Sequence, residues 1–162
     1  MKNQEFEQRI EKYLKRQFGI TITAASKRQV YEALMSTVRE KLSEKKFAYE
    51  QELKKTKQKR AYYMSMEFLV GRTLRNNLFN LGIEKETKEY LEKNNFNLDE
   101  IYDIEPDPGL GNGGLGRLAS CYLDALTSSD YPVTGFSILY EYGIFKQVIN
   151  NGWQQEFPDY WL

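Results

Sequence analysis

Five glycines stand within the eight residues Gly109-Leu110-Gly111-Asn112-Gly113-Gly114-Leu115-Gly116, directly upstream of a helical stripe. Pro106 and Pro108 precede them, so the chain does not enter this run from the middle of a central strand. A loop of this kind lets several backbone N–H groups converge in front of the positive end of a helix, which is what a phosphate needs. An anion site is therefore its sharpest reading. Gly111, Gly113 and Gly116 also satisfy G-x-G-x-x-G, but that dinucleotide fingerprint needs a strand directly before the first glycine. Ile104-Glu105-Pro106-Asp107-Pro108 occupies that place, and no Gly-Lys-Ser/Thr follows to make a P-loop. The remaining alternative is purely structural: glycines that only allow chains to pack closely at a tight turn.

Composition narrows the function classes. The 162 residues are 41% apolar and 28% charged, as in an ordinary globular domain. Lys plus Arg equals Asp plus Glu at 23 each, so no charge excess draws the whole chain to nucleic acid or an anionic membrane. Met1-Lys2-Asn3-Gln4-Glu5 opens without a hydrophobic signal core, and apolar runs are short, so a cytoplasmic protein is expected. A single cysteine, Cys121, excludes an internal disulfide and a multi-cysteine metal site. The absence of histidine excludes a His-based hydrolase triad, and no metal site is expected.

Periodicity places the elements. Phe6, Ile10, Tyr13, Leu14 and Phe18 predict a helix stopped by Gly19. Ser26 and Gln29 form a capping-box signature ahead of Val30, Ala33, Leu34, Val38 and Leu42, predicting a second helix to about Lys57. Its end carries Lys54, Lys55, Lys57, Lys59 and Arg60, which reads as a solvated terminus or, alternatively, an effector site for an anion or nucleotide. Ala61 to Phe68 predicts a buried aromatic strand leaving at Gly71. Leu74 to Leu81, stopped at Gly82, and Lys85 to Asn94, with Tyr90 and Leu91 inward, predict two short helices. Asn97 to Pro108 reads as a turn-rich acidic connection. Leu115, Leu118, Ala119, Tyr122, Leu123 and Leu126 predict a helix ending near Ser128. Val133 to Tyr142 reads as a strand, and Phe145 to Phe157 as a hairpin turning at Asn150-Asn151-Gly152. Tyr160 and Trp161 at the end have no following sequence to cover them, so the chain is expected to be a piece of a longer protein.

Isolated polar residues add less. Asp103, Glu105 and Asp107 imitate the start of a calcium loop, but Pro108 and Gly114 stand where its glycine and terminal glutamate belong, which leaves a solvated acidic turn. Glu67, at the end of an aromatic strand, needs a partner, with Arg72 or Arg117 as candidates. Tyr62, Tyr63, Trp153, Tyr160 and Trp161 can stack on sugars or bases, yet aromatics at strand periodicity mostly belong to a core.

Taken in order, Tyr62-Tyr63-Met64-Ser65-Met66-Glu67-Phe68-Leu69-Val70-Gly71-Arg72-Thr73-Leu74, then Gly109 to Ala119, then Tyr140-Glu141-Tyr142-Gly143-Ile144-Phe145, Gly152-Trp153-Gln154 and Asp159-Tyr160-Trp161-Leu162 resemble the N-terminal part of the α-glucan phosphorylases. The resemblance runs from about Phe18 to Leu162. It implies an α/β fold: part of the N-terminal Rossmann-like domain of a two-domain glycosyltransferase-B architecture with leading helices. Residues 1–60 would be the helical region and 61–162 the incomplete first part of that domain. It implies phosphorolysis of terminal α-1,4-linked glucose by orthophosphate to α-glucose 1-phosphate. Pyridoxal phosphate would be the cofactor, acting through its 5′-phosphate and carried by a lysine outside this chain.

By the same resemblance, the backbone at Gly113 and Gly114 faces the cofactor and substrate phosphates, and Asn112 and Leu115 lie near the glucosyl pocket. Glu67 is expected close to that site as a supporting carboxylate, pairing with a basic residue of the other domain, and Arg117 as structural support. No catalytic set is complete here, so the isolated segment is expected to be inactive. A homodimer is implied, with no nucleic-acid or membrane partner. Lys46 and Lys54 stand where AMP-stacking aromatics are expected in animal members, and no arm with a phosphorylated serine precedes helix one, so neither control is expected. The alternative is a non-catalytic phosphorylase-like module that binds glucan or a partner.

Overall fold

The computed structural model describes the backbone of residues 2–162 and the side chains from Glu5 onward. Helices and strands are mixed, in two units of interleaved sequence: residues 1–51 with 73–105, and residues 52–72 with 106–162.

The first unit is helical. Helix α1 spans Lys2–Phe18 and ends at Gly19, whose φ of 70° only glycine adopts without cost. A 3-10 turn at Ile22–Ala24 leads to α2, Lys27–Thr56, most of which belongs to this unit. The capping box forms as its sequence predicts: Ser26 N and Oγ donate to Gln29 Oε1 at 2.8 and 2.9 Å, and Gln29 N donates back to Ser26 Oγ at 3.3 Å. Helix α3, Leu74–Leu81, closes on Gly82 at φ 68°, and α4 covers Glu84–Lys93. Phe6, Ile10 and Leu14 of α1, Val30, Leu34 and Val38 of α2, and Leu74, Leu78 and Leu91 form one buried cluster. Arg9 ties α1 to α2 by ion pairs to Glu44 at 2.7 Å and Glu40 at 3.3 Å.

Two readings of the sequence are corrected in this unit. The segment 97–108 contains a fifth helix, α5, Leu98–Tyr102, started by Asn97, whose side chain accepts from Asp99 N at 2.8 Å. Its five residues are too few to show a period. Glu105 is not solvated: only 6% exposed, it accepts from Thr73 N at 2.8 Å, Thr73 Oγ at 3.1 Å and Leu74 N at 3.0 Å. Thr73 gives α3 no side-chain cap of its own, and Glu105 supplies one from a distant point of the chain.

The second unit is built on a parallel pair, β1 (Ala61–Met64) and β2 (Val133–Phe136), in register Ala61 to Val133 and Met64 to Phe136. Helix α6, Gly114–Ser128, lies on this pair. Gly135 permits the approach, since a Cβ there would stand 2.8 Å from Leu123 Cδ1 and 3.1 Å from Phe68 Cζ. Both strands are shorter than the sequence predicts, and β1, expected to be a buried strand, leaves Tyr62 and Met64 exposed. After Ser65 N donates to the Phe136 carbonyl at 3.0 Å, β1 leaves the ladder and β2 loses its partner. An antiparallel hairpin follows, β3 (Lys146–Asn150) and β4 (Trp153–Phe157), as the sequence predicts. Its turn residues Asn151 and Gly152 both have positive φ, 50° and 81°, which matches the right-handed twist of the strands.

The apolar stripe read along α6 is only partly inward. Ala119 is buried, but Leu115 is 58% exposed and Leu118 49%. A two-stranded sheet covers one side of a helix and leaves the rest of so broad a stripe open.

Candidate functional site

Residues 65–69 leave β1 and run against the glycine loop instead of extending the sheet. Phe68 N donates to the Leu110 carbonyl at 2.9 Å, and Leu69 N to the Gly116 carbonyl at 3.0 Å. Ser65 shapes the turn, its Oγ donating to the Glu67 carbonyl at 2.8 Å and accepting from Glu67 N at 3.3 Å. Glu67 is half-buried, and its Oε2 accepts from Asn112 N at 3.4 Å. Of its two sequence-level partners, Arg117 instead sends Nη1 to the Leu69 carbonyl at 3.4 Å, where it braces the turn.

The loop glycines, alike in sequence, divide into two groups. At Gly109 a Cβ would come within 2.6 Å of Gly143 Cα and of Trp161 Cδ1. At Gly111 it would meet Leu69 N at 2.9 Å, and at Gly116 the Glu67 Cβ at 3.0 Å. These three glycines let backbones approach. Gly113 and Gly114 are different: a Cβ on either meets nothing within 4 Å, and neither has a positive φ. Neither packing nor backbone conformation in this unit requires glycine at those two positions.

Gly113 is the N-cap of α6 and Gly114 its first residue. No side chain caps the helix, and its first turn carries no acidic residue. The first N–H groups of a helix have no partner within it, so this end offers donors and the positive pole of a fifteen-residue dipole on an open surface. Exposed Asn112 and Leu115 flank it. Gly113, Gly114, Asn112, Leu115 and Glu67 are thus brought together. The loop is not preceded by a strand, so the dinucleotide fingerprint lacks its context.

The aromatics divide as well. Tyr63 packs edge-on to Phe68, whereas Tyr62, Trp153 and Tyr160 are exposed. Trp161 lies against Gly109 and donates Nε1 to the Tyr140 carbonyl at 3.0 Å. Sequence reasoning missed Ser137 and Tyr140, which reach the Met66 carbonyl beside Glu67; as residues of an alternating run, they carried no signal of that role. Lys54, Lys55, Lys57, Lys59 and Arg60 are exposed, as suits a solvated helix end. Among the described residues, no group of three or more His, Cys, Asp or Glu is placed to hold a metal, and no helix is long and apolar enough to cross a membrane.

Comparison with known proteins agrees with the motifs that frame this loop. Residues 91–162 match the family model described as carbohydrate phosphorylase. The chain is 47% identical over 139 residues to a glycogen phosphorylase of Chlamydia pneumoniae, covering 86% of this chain and 17% of that protein. It is 44% identical over 138 residues to the glycogen phosphorylase of Synechocystis and to the human liver form, covering 85% of this chain and 16% of each relative. The chain belongs to the carbohydrate phosphorylase family, as an N-terminal segment. It spans about a sixth of the length of these relatives.

Proposed function

We propose that the protein to which this chain belongs is an α-glucan phosphorylase, and that the loop at Gly113 and Gly114 is its phosphate cradle. The observation that carries this reading is the pair of sterically unconstrained glycines at the uncapped start of α6. Substrate access explains their lack of side chains where packing does not. In the proposed reaction the C1–O4 bond of the terminal glucose breaks and a C1–O bond to phosphate forms. The proton of orthophosphate passes to the departing 4-oxygen, and the α configuration is kept.

The residues here serve binding and orientation. N–H groups at Gly113 and Gly114 hold phosphate oxygens, and Asn112 and Leu115 border the glucosyl unit. Glu67 waits for a cation from the second domain of a glycosyltransferase-B pair. A phosphate group of pyridoxal phosphate fits the same open donor set, and when bound it supplies the acid–base partner of the substrate phosphate. The lysine carrying it, and the rest of the catalytic set, would lie outside residues 1–162, so this segment alone is inactive. A cytoplasmic homodimer completes the proposal.

The test is orthophosphate-dependent release of glucose 1-phosphate from a linear α-1,4-glucan by the protein of the complete reading frame, beside the 162-residue segment. Release by the former alone supports the reading. Glucan binding by both without release supports the non-catalytic module instead.

A further inference from the structure

We propose that Tyr140 is a positioning residue that acts through Glu67; the inference rests on the reading of Glu67 as a supporting carboxylate of the phosphorylase site. The peptide joining Met66 to Glu67 is planar, so its carbonyl and its N–H are oriented together. Its oxygen accepts from Tyr140 Oη at 3.0 Å and from Ser137 Oγ at 3.2 Å, while its N–H donates to Ser65 Oγ at 3.3 Å. Three side chains thereby set one peptide plane, and that plane sets the direction in which Glu67 leaves the backbone.

Beyond it, the Glu67 side chain passes where Gly116 carries none, and Oε2 ends 3.4 Å from Asn112 N. Tyr140 is itself held, because its carbonyl accepts from Trp161 Nε1 at 3.0 Å and the Trp161 ring abuts Gly109. Tyr140, Glu67, Gly109 and Gly111 also line one cavity of about 220 Å³. The Tyr140 hydroxyl thus couples the Trp161 end of the glycine loop to the carboxylate at its other end. A hydroxyl that served only packing would have no reason to end on the one carbonyl preceding Glu67.

The test is a double-mutant cycle in the full-length protein with Y140F, E67A and the pair. Y140F lowers kcat about tenfold with the KM for glucan unchanged, since a misplaced group of this kind costs up to about a hundredfold. In the E67A background Y140F causes no further loss. An equal loss in both backgrounds, or full activity of Y140F, overturns the proposal. If Y140F does not fold, S137A removes the second donor to the same carbonyl and takes its place in the cycle, with a loss of about threefold expected. Crystal structures of wild type and variant give a readout independent of turnover: Glu67 Oε2 leaves Asn112 N in Y140F, and its retention overturns the proposal. A wild-type protein that releases no glucose 1-phosphate sinks the functional reading instead, and these structures then decide the positioning role alone.

Discussion

Glu67 Oε2 and the backbone nitrogen of Asn112 lie 3.4 Å apart, which brings a carboxylate from the exit of β1 to the edge of the glycine loop. In the proposed phosphate cradle, a carboxylate at this place has a cost, because like charges repel and the repulsion grows as water is excluded. Under the proposed function a cation from the second domain offsets that cost, and Glu67 is the proposed group that holds it. The backbone around it is fixed by Ser65, Ser137 and Tyr140, so the carboxylate is oriented before any ligand arrives.

The two classes of glycine predict opposite stability effects. Gly111→Ala places a Cβ 2.9 Å from Leu69 N, and a backbone atom cannot turn aside, so a loss of about 1–3 kcal/mol is expected. Gly113→Ala and Gly114→Ala meet open space and stay within about 0.5 kcal/mol of wild type. Urea midpoints of the three variants check this, and a Gly114→Ala variant as unstable as Gly111→Ala would refute the division.

Glu105→Ala removes the cap of α3 and leaves Thr73 N and Leu74 N without their carboxylate partner. The expected loss is about 2–3 kcal/mol, because the bonds are charge-assisted and buried. Thermal melts measure it, and hydrogen exchange should show the loss of protection concentrated at Thr73 and Leu74. Unchanged protection there would contradict the capping role.

Alkaline pH should destabilise the helical unit. Burial, then the neighbouring Glu11 and Glu7, push the Tyr90 hydroxyl well above the ordinary phenol range. Burial and Glu84 do the same to Tyr102. The unfolded chain releases these protons near pH 10, whereas the folded chain keeps them, so the two tyrosines' contribution to stability is constant below about pH 10 and is lost above it. The slope is at most about 1.4 kcal/mol per pH unit for each tyrosine. Tyr90→Phe should flatten the decline in urea midpoints between pH 9 and 11, and an unaltered decline would exclude Tyr90 as a source.

Ser26→Ala breaks the reciprocal cap with Gln29 and should cost about 1 kcal/mol, read as a lower urea midpoint. A fully stable variant would mean that water replaces the cap.

Helices α1 to α4, α6 and the hairpin were legible because their signals are local: a period, a cap, a glycine stop. Glu105 was not, since its acidic, proline-rich surroundings point to water while its partners lie in another part of the sequence. The strand ends were misread for a related reason. A strand stops where its partner leaves, and β1 leaves because Phe68 and Leu69 find acceptors in the glycine loop. The loop was read from its glycines as an anion site or a tightly packed turn, but which glycines serve packing and which face open space depends on what stands opposite each Cα. Only Leu69, Glu67, Trp161 and Gly143 in their folded places reveal it.

The most direct test of the account is the rate of glucose 1-phosphate release by full-length protein carrying Gly114→Val, beside its melting temperature. A melt close to wild type is expected, with a rate lower by at least about a hundredfold, the cost of losing a transition-state donor from an anion cradle. Wild-type turnover in a correctly folded Gly114→Val protein would contradict it.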